Sequence, residues 1–425
     1  MKTPGRRIEI AEEQLNRLRQ MLETVLAANE FYRKKFSADG SCEIRSMESL
    51  KNLPFTTKSE LAEDQIRHPP FGTDLTFSQE HYIRVHQTSG TSGNPMYWLD
   101  TEESWQWWAE CWKVILEAAG IRPEDRIYFA FSFGPFIGFW AGWEGARKLG
   151  AMTVSGGGQS TSQRLRAIID YGPTVLISTP TYALHMASEA RKAGIDLAKE
   201  SAIRITLHAG EPGASIPSTK KMIESSWGAK CFDHPGATEV GAFAFECQSG
   251  AVHVNENEFI AEVLHPNSSE VVSEGERGEL VITNLGRIGS PVIRYRTGDL
   301  VQPSYQPCSC GRPFLVLQSG VLGRVDDMVI VRGVNVFPSA IENTLREFPE
   351  IEEFRVEVFE KESMKELKVI IEPHSDQSSL EALVERVKQR LRERIGLRPY
   401  VELVASGTLP RFELKAKRFF QAIET

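Results

Sequence analysis

Arg126-Ile127-Tyr128-Phe129-Ala130-Phe131-Ser132-Phe133-Gly134-Pro135-Phe136-Ile137-Gly138-Phe139-Trp140 is the stretch on which the fold turns. It opens as an apolar run of strand length, breaks at Gly134-Pro135 and resumes as an aromatic helix start. Positions 127–143 carry no charge over 17 residues. That is just short of the ~18 a membrane-spanning helix needs, and four Gly or Pro residues interrupt it. A strand, a turn and a buried helix are expected here, and a membrane span is not. Strand-like runs recur at 151–155, 174–178, 204–207 and 230–233, with helical runs at 162–171 and 181–193. This alternation predicts a parallel sheet with helices on both faces.

Working outward, Leu15, Leu18, Leu22 and Leu26 recur at helical spacing and predict a helix over 10–36. A connector with Pro54, Pro69, Pro70 and Gly72 follows. From 243 to 317 the pattern changes to strands and turns, with strands expected at 279–283 and 291–295. A boundary is expected near Asp326, dividing the chain into 1–325 and 326–425. Beyond it lie strand-like 354–360 and 365–372 and a helix over 380–395 with one apolar stripe. The fold class read from this is α/β, with a β-rich subdomain and a small α+β C-terminal domain. The basic residues of the last helix (Arg386, Lys388, Arg390, Arg392, Arg394) read as a solvated face.

The 425 residues are 41% hydrophobic and 25% charged, as in soluble globular proteins. With 49 basic and 57 acidic side chains the net charge is −8. Without basic runs, nucleic acid and anionic membranes are not expected partners. The first residues lack the apolar core of a secretory signal. Six cysteines in this length make no disulfide framework, so a reduced, cytoplasmic setting is expected. There is no Gly-x-Ser-x-Gly elbow, His-Glu-x-x-His or Gly-x-Gly-x-x-Gly.

The sharpest motif is Thr88-Ser89-Gly90-Thr91-Ser92-Gly93-Asn94-Pro95. Its hydroxyls and successive N–H groups suit phosphate oxygens, although it lacks the Gly-Lys-Ser/Thr ending of a Walker A loop. Other pieces follow in order: Ala209-Gly210-Glu211-Pro212, then Asp233-His234-Pro235-Gly236-Ala237-Thr238-Glu239, then Tyr295-Arg296-Thr297-Gly298-Asp299, then Gly323-Arg324-Val325-Asp326-Asp327, and last Leu409-Pro410-Arg411-Phe412-Glu413-Leu414-Lys415-Ala416-Lys417.

This ordered set resembles the adenylate-forming superfamily, specifically the phenylacetate–CoA ligase family. The resemblance runs from Phe31-Tyr32-Arg33-Lys34-Lys35 and Leu53-Pro54-Phe55-Thr56-Thr57-Lys58 to the end of the chain. It implies a large ATP-binding and acyl-binding N-terminal domain with a mobile C-terminal lid. By resemblance, 88–93 hold the β and γ phosphates of ATP and 209–212 line the adenine, with Asp233, His234 and Pro235 nearby. Thr238 contacts phosphate and Glu239 ligates Mg²⁺. Asp299 takes the ribose hydroxyls and Arg324 also meets the ribose. Asp326 is the interdomain hinge, and Lys415 is the adenylation lysine. The implied reaction joins an aromatic acid to CoA through an acyl-AMP. The chemistry agrees: a carboxylate attacking a phosphate needs its crowded negative charge offset by Mg²⁺ and a compact cation. Three departures stand out. Asn94 replaces a basic residue, Pro235 an aromatic one, and Arg411 to Leu414 stand where Ser and Gly are common. Lys417 is the alternative to Lys415.

The acyl pocket is expected around Phe133, Phe136, Ile137 and Trp140, with His234 and Gly236, because ligands of parallel sheets sit beyond the strands' carboxyl ends. His234 could face the carboxylate or a polar substituent, or be a structural histidine. Trp105, Trp108 and Trp112 form a helical stripe and read as core. Cys247, His253, Cys308 and Cys310 together suit a closed structural Zn²⁺ site, as some relatives carry; ordinary packing is the alternative. Cys42, Cys111 and Cys231 read as core. Transfer to a carrier protein or an amine, activation of a non-carboxylate acid, and a catalytically silent nucleotide binder remain rivals. A homodimer is left open.

Overall fold

A computed structural model describes residues 3–37, 44–88, 95–266, 268–325, 327–332, 334–361, 364–374, 380–412 and 417–421. Five parallel strands form the central sheet: β1 Arg126–Phe129, β2 Met152–Ser155, β3 Val175–Ser178, β4 Ile205–His208 and β5 Lys230–Asp233. Their order is β2-β1-β3-β4-β5. Each expected strand is present within two residues at either end. The three central strands are buried throughout or nearly so, because helices cover both faces. The helices Glu102–Ala118 and Ile137–Leu149 cover one face, and Thr161–Tyr171, Pro180–Lys192 and Pro217–Trp227 the other. Trp105, Trp108 and Trp112 are core residues of the first of these helices.

The aromatic stretch forms strand, turn and helix as its sequence predicts. Among the described residues no helix is long and apolar enough to cross a membrane. The N-terminal helix begins earlier than expected and breaks, giving Thr3–Ala28 and Glu30–Ser37. Asn29 causes the break. Its fully buried side chain accepts from Tyr32 N–H (3.1 Å) and donates to Asp74 O (2.9 Å), so it caps the second helix.

The β-rich part is two antiparallel four-stranded sheets. Gly278–Asn284 contains the strand expected at 279–283, but 291–294 is not a strand. Pro291 has no N–H to donate, and Arg294 has a positive φ of 47°. The C-terminal sheet domain pairs Tyr400–Leu403, Met364–Pro373, Ile351–Lys361 and Phe419–Gln421, in that order. Helices Pro338–Leu345 and Leu380–Ile395 pack on it around a separate apolar core. Four basic residues of the last helix (Arg386, Lys388, Arg390, Arg394) engage glutamates, which agrees with a solvated ion-paired face.

Candidate functional site

The carboxyl ends of β4 and β5 deliver two of the motifs side by side. Ala209-Gly210-Glu211-Pro212 leaves β4, and Gly210 takes φ 94°, a conformation glycine tolerates. Glu211 accepts from Thr181 N–H at 2.9 Å. Asp233 closes β5 and is buried. Burial, followed by repulsion from Glu246, pushes its carboxyl up to about 7, despite the opposing Lys220 charge.

After β5 the chain turns through Gly236 and Ala237 to Thr238 and the buried Glu239. Arg287, which the sequence reading missed, fixes this turn. It donates to Thr238 O at 2.6 Å and Glu239 O at 3.4 Å. Its other nitrogens grip both oxygens of Asp100 (2.8 and 2.7 Å), and both side chains are 0% exposed. Nothing local to Leu285-Gly286-Arg287 announces this, since its partners lie far away in sequence. Lys58 Nζ sits 3.0 Å from Glu239 Oε1. The motif containing Lys58 was legible, but not its approach to Glu239.

Asp299 lies on the strand Tyr295–Val301, paired with Arg324 on Gly323–Arg324. Arg324 donates to Thr297 O (3.1 Å) and stands 3.5 Å from Asp299 Oδ1. A Cβ on Gly298 would fall 2.7 Å from that guanidinium, whose flexible chain could give way, but φ there is 74°, so the backbone favours glycine. Thr88 anchors its loop by exchanging hydrogen bonds with Met96 (2.9 and 3.0 Å). Ser89, Gly90, Thr91, Ser92, Gly93, Asn94, Asp326, Lys415 and Cys42 lie outside the described residues. Lys417 is exposed.

The aromatic cluster sits beyond β1. The Phe133 ring lies 4.7 Å from Trp140 and 5.2 Å from Phe131, and Trp140 Nε1 donates to Gly134 O (2.8 Å). Ile137 is buried, whereas Phe136 is only partly so. His234 stands beyond β5, three strands away, and Trp112 spans the gap. Its ring meets the His234 ring edge at 4.5 Å, and a Cβ on Gly142 of the Trp140 helix would be 3.3 Å from it.

Cys247, His253, Cys308 and Cys310 converge, their ligand atoms within 4.8 Å of one another. Two sulfurs on one tetrahedral zinc at ~2.3 Å stand about 3.8 Å apart, and a sulfur and an imidazole nitrogen about 3.6 Å. The Cys247–Cys308 sulfur separation is 3.8 Å, and Cys310 Sγ lies 3.4 Å from His253 Nε2. His253 Nδ1 lies 3.4 Å from Phe314 O, leaving Nε2 for a metal. Cys111 and Cys231 are buried core residues, as expected.

Residues 333–422 match the family model for the AMP-binding enzyme C-terminal domain. A phenylacetate–coenzyme A ligase of Thermus thermophilus is 32% identical over 96% of this chain and 95% of its own. One of Escherichia coli is 31% identical over 97% and 94%. A 2-hydroxyisobutyryl-CoA ligase, solved in the postadenylation state with 2-HIB-AMP, superposes with TM-score 0.92 at 29% identity. The match covers 97% of this chain and 89% of that one. The same ligase with 2-HIB-AMP and CoA in the thioesterification state gives only 0.73. The chain as a whole therefore superposes better on the former than on the latter.

Proposed function

We propose, from the premise that the chain belongs to the phenylacetate–coenzyme A ligase family and is an AMP-forming acid–thiol ligase, that its acid substrate is an aromatic carboxylate. The observation carrying this reading is the ring cluster of Phe131, Phe133 and Trp140 at the sheet's carboxyl end, which suits a flat apolar acid. A second reading, a small branched hydroxy acid, draws on the superposition with the 2-hydroxyisobutyryl-CoA ligase.

In the first step a carboxylate oxygen attacks the α-phosphorus of ATP, and the bond to the β-phosphate oxygen breaks to release pyrophosphate. Residues 88–93 hold the β and γ phosphates, 209–212 with Asp233 and Pro235 border the adenine, and Asp299 with Arg324 receives the ribose. Arg287 presents Thr238 to phosphate and Glu239 to the metal. The buried Glu239 carboxylate is a hard oxygen donor that fits Mg²⁺, which when bound offsets phosphate charge. Lys415 adds a compact positive charge at the α-phosphate. In the second step the CoA sulfur attacks the acyl carbon and AMP leaves.

The division into 1–325 and 326–425, hinged at Asp326, is part of the proposal. So is a closed Cys₃His zinc, whose four protein ligands leave no open position and make it structural. Measuring pyrophosphate release over a panel of acids, with and without CoA, tests the function. Aromatic acids should be preferred and the thioester should appear only with CoA. Acyl-AMP without thioester would point to a carrier protein or an amine as acceptor. Release only with small aliphatic hydroxy acids would favour the second reading.

A further inference from the structure

His234 is a polar side chain set among apolar ones. Its ring is packed edge-on against Trp112 (4.5 Å) and is 4% exposed. Nδ1 lies 2.7 Å from Ala244 O, an acceptor only, so Nδ1 carries a proton and donates it. The other nitrogen has no hydrogen bond among the described residues. It is aimed at Gly236, where a Cβ would stand 3.1 Å from Nε2 and 3.2 Å from Cε1. Gly236 itself is exposed, so the missing side chain leaves Nε2 uncovered on that side. Among the described residues no carboxylate holds the ring protonated, and burial pushes its pKa down to about 4. The imidazole is therefore neutral, and Nε2 offers a lone pair and no proton.

We propose that His234 Nε2 is a specificity-determining acceptor that selects acids carrying a hydroxyl or N–H donor close to the carboxyl group. The inference rests on the ligase reading, because it takes the space beside Gly236 to be part of the acyl site. It decides between two roles open to a histidine there. A carboxylate would be repelled by the Nε2 lone pair, whereas a hydroxyl or amine hydrogen bonds to it. An acid with only C–H at that point leaves a buried acceptor unsatisfied, which a site built around a hydrogen bond penalises. The ring cluster near Phe133 is then left to receive the apolar part of the acid.

The test is binding of non-hydrolysable acyl-sulfamoyl adenosines to the full chain, by calorimetry, so that no chemical step is needed. The acyl groups come as matched sets: mandelyl, 2-phenylpropionyl and phenylacetyl; 2-hydroxyphenylacetyl and 2-methylphenylacetyl; 2-hydroxyisobutyryl and pivaloyl. At least one donor-bearing member should bind about tenfold tighter than its methyl counterpart. In His234→Ile that preference should vanish or invert, while the methyl member binds as well as before or better. His234→Gln, which can still offer an acceptor oxygen, should keep part of the preference. Thermal melting checks that the variants fold, and if His234→Ile does not, His234→Gln and His234→Leu carry the comparison. Equal binding within every set, or a preference unchanged by substitution, overturns the inference and leaves the ligase reading standing. If no adenylate analogue binds at all, both fall.

Discussion

Arg287 supports the Thr238 and Glu239 turn with a guanidinium that touches no solvent and lies over the Trp98 and Trp108 rings. Arg287→Met would strand the Asp100 carboxylate in the core, at a cost of about 3–5 kcal/mol. Chemical denaturation should show that loss, and removing Asp100 as well (Asp100→Leu) should recover part of it. Lys415 offers a sharper separation of steps. Lys415→Ala should slow acyl-AMP formation at least ~100-fold, while thioester formation from supplied acyl-AMP largely survives. If Lys417→Ala gives that pattern instead, the lysine is placed two residues too early. Three of the buried histidines favour the folded state less as acid is added. Burial pushes His86 and His234 down to about 4 and His208 to about 3. An unfolded histidine titrates near ~6.5, so below that the unfolded chain binds more protons than the folded one. Stability should therefore fall as pH drops from about 6.5 toward 4, and the denaturation midpoint of His208→Gln should fall less steeply over that range.

Elements were legible wherever a period was clean. The strand 230–233 and the helix 380–395 are present at the bounds expected. The leucines that predict a helix over 10–36 end at Leu26, before Asn29, and only the distant Asp74 shows why the helix breaks there. The ordered motifs themselves could be read in the sequence. Arg287 and its grip on Asp100 could not, because the contact joins positions with no shared pattern. The cysteine cluster lies between these cases: its residue types were visible, while its convergence needed the strands Val252–Val254 and Val316–Leu317 to pair. One metal there would pin together loops distant in sequence. Purified protein should contain close to one zinc per chain. Cys308→Ser should lower zinc content and the melting temperature together, since metal binding supplies folding energy. Adenylation by folded protein should persist, because its residues lie elsewhere. A zinc-free preparation, unmoved by chelator, would return these four residues to ordinary packing.

At the scale of the whole molecule, an AMP-forming acid–thiol ligase carries out two reactions, and polar contacts join the C-terminal sheet domain to the rest of the chain. Arg418 reaches Thr181 Oγ1 at 3.3 Å while bound to Glu353, and Ser218 donates to Asn343 Oδ1 at 2.8 Å. Glu352 meets Lys192 at 3.4 Å. These contacts are polar, and an interface of that kind can come apart at modest cost. Release would let the domain swing, and a few residues between the domains must absorb the change in φ and ψ. Asp326 is the expected site of that change. Asp326→Pro fixes φ near −65° and should restrict the swing. Acyl-AMP formation should then persist while thioester formation falls well below that of Asp326→Ala, which leaves the backbone free. Both half-reactions would be followed separately, with circular dichroism to confirm folding. Equal loss of the two steps in folded protein, or equal behaviour of the proline and alanine variants, would move the hinge away from Asp326.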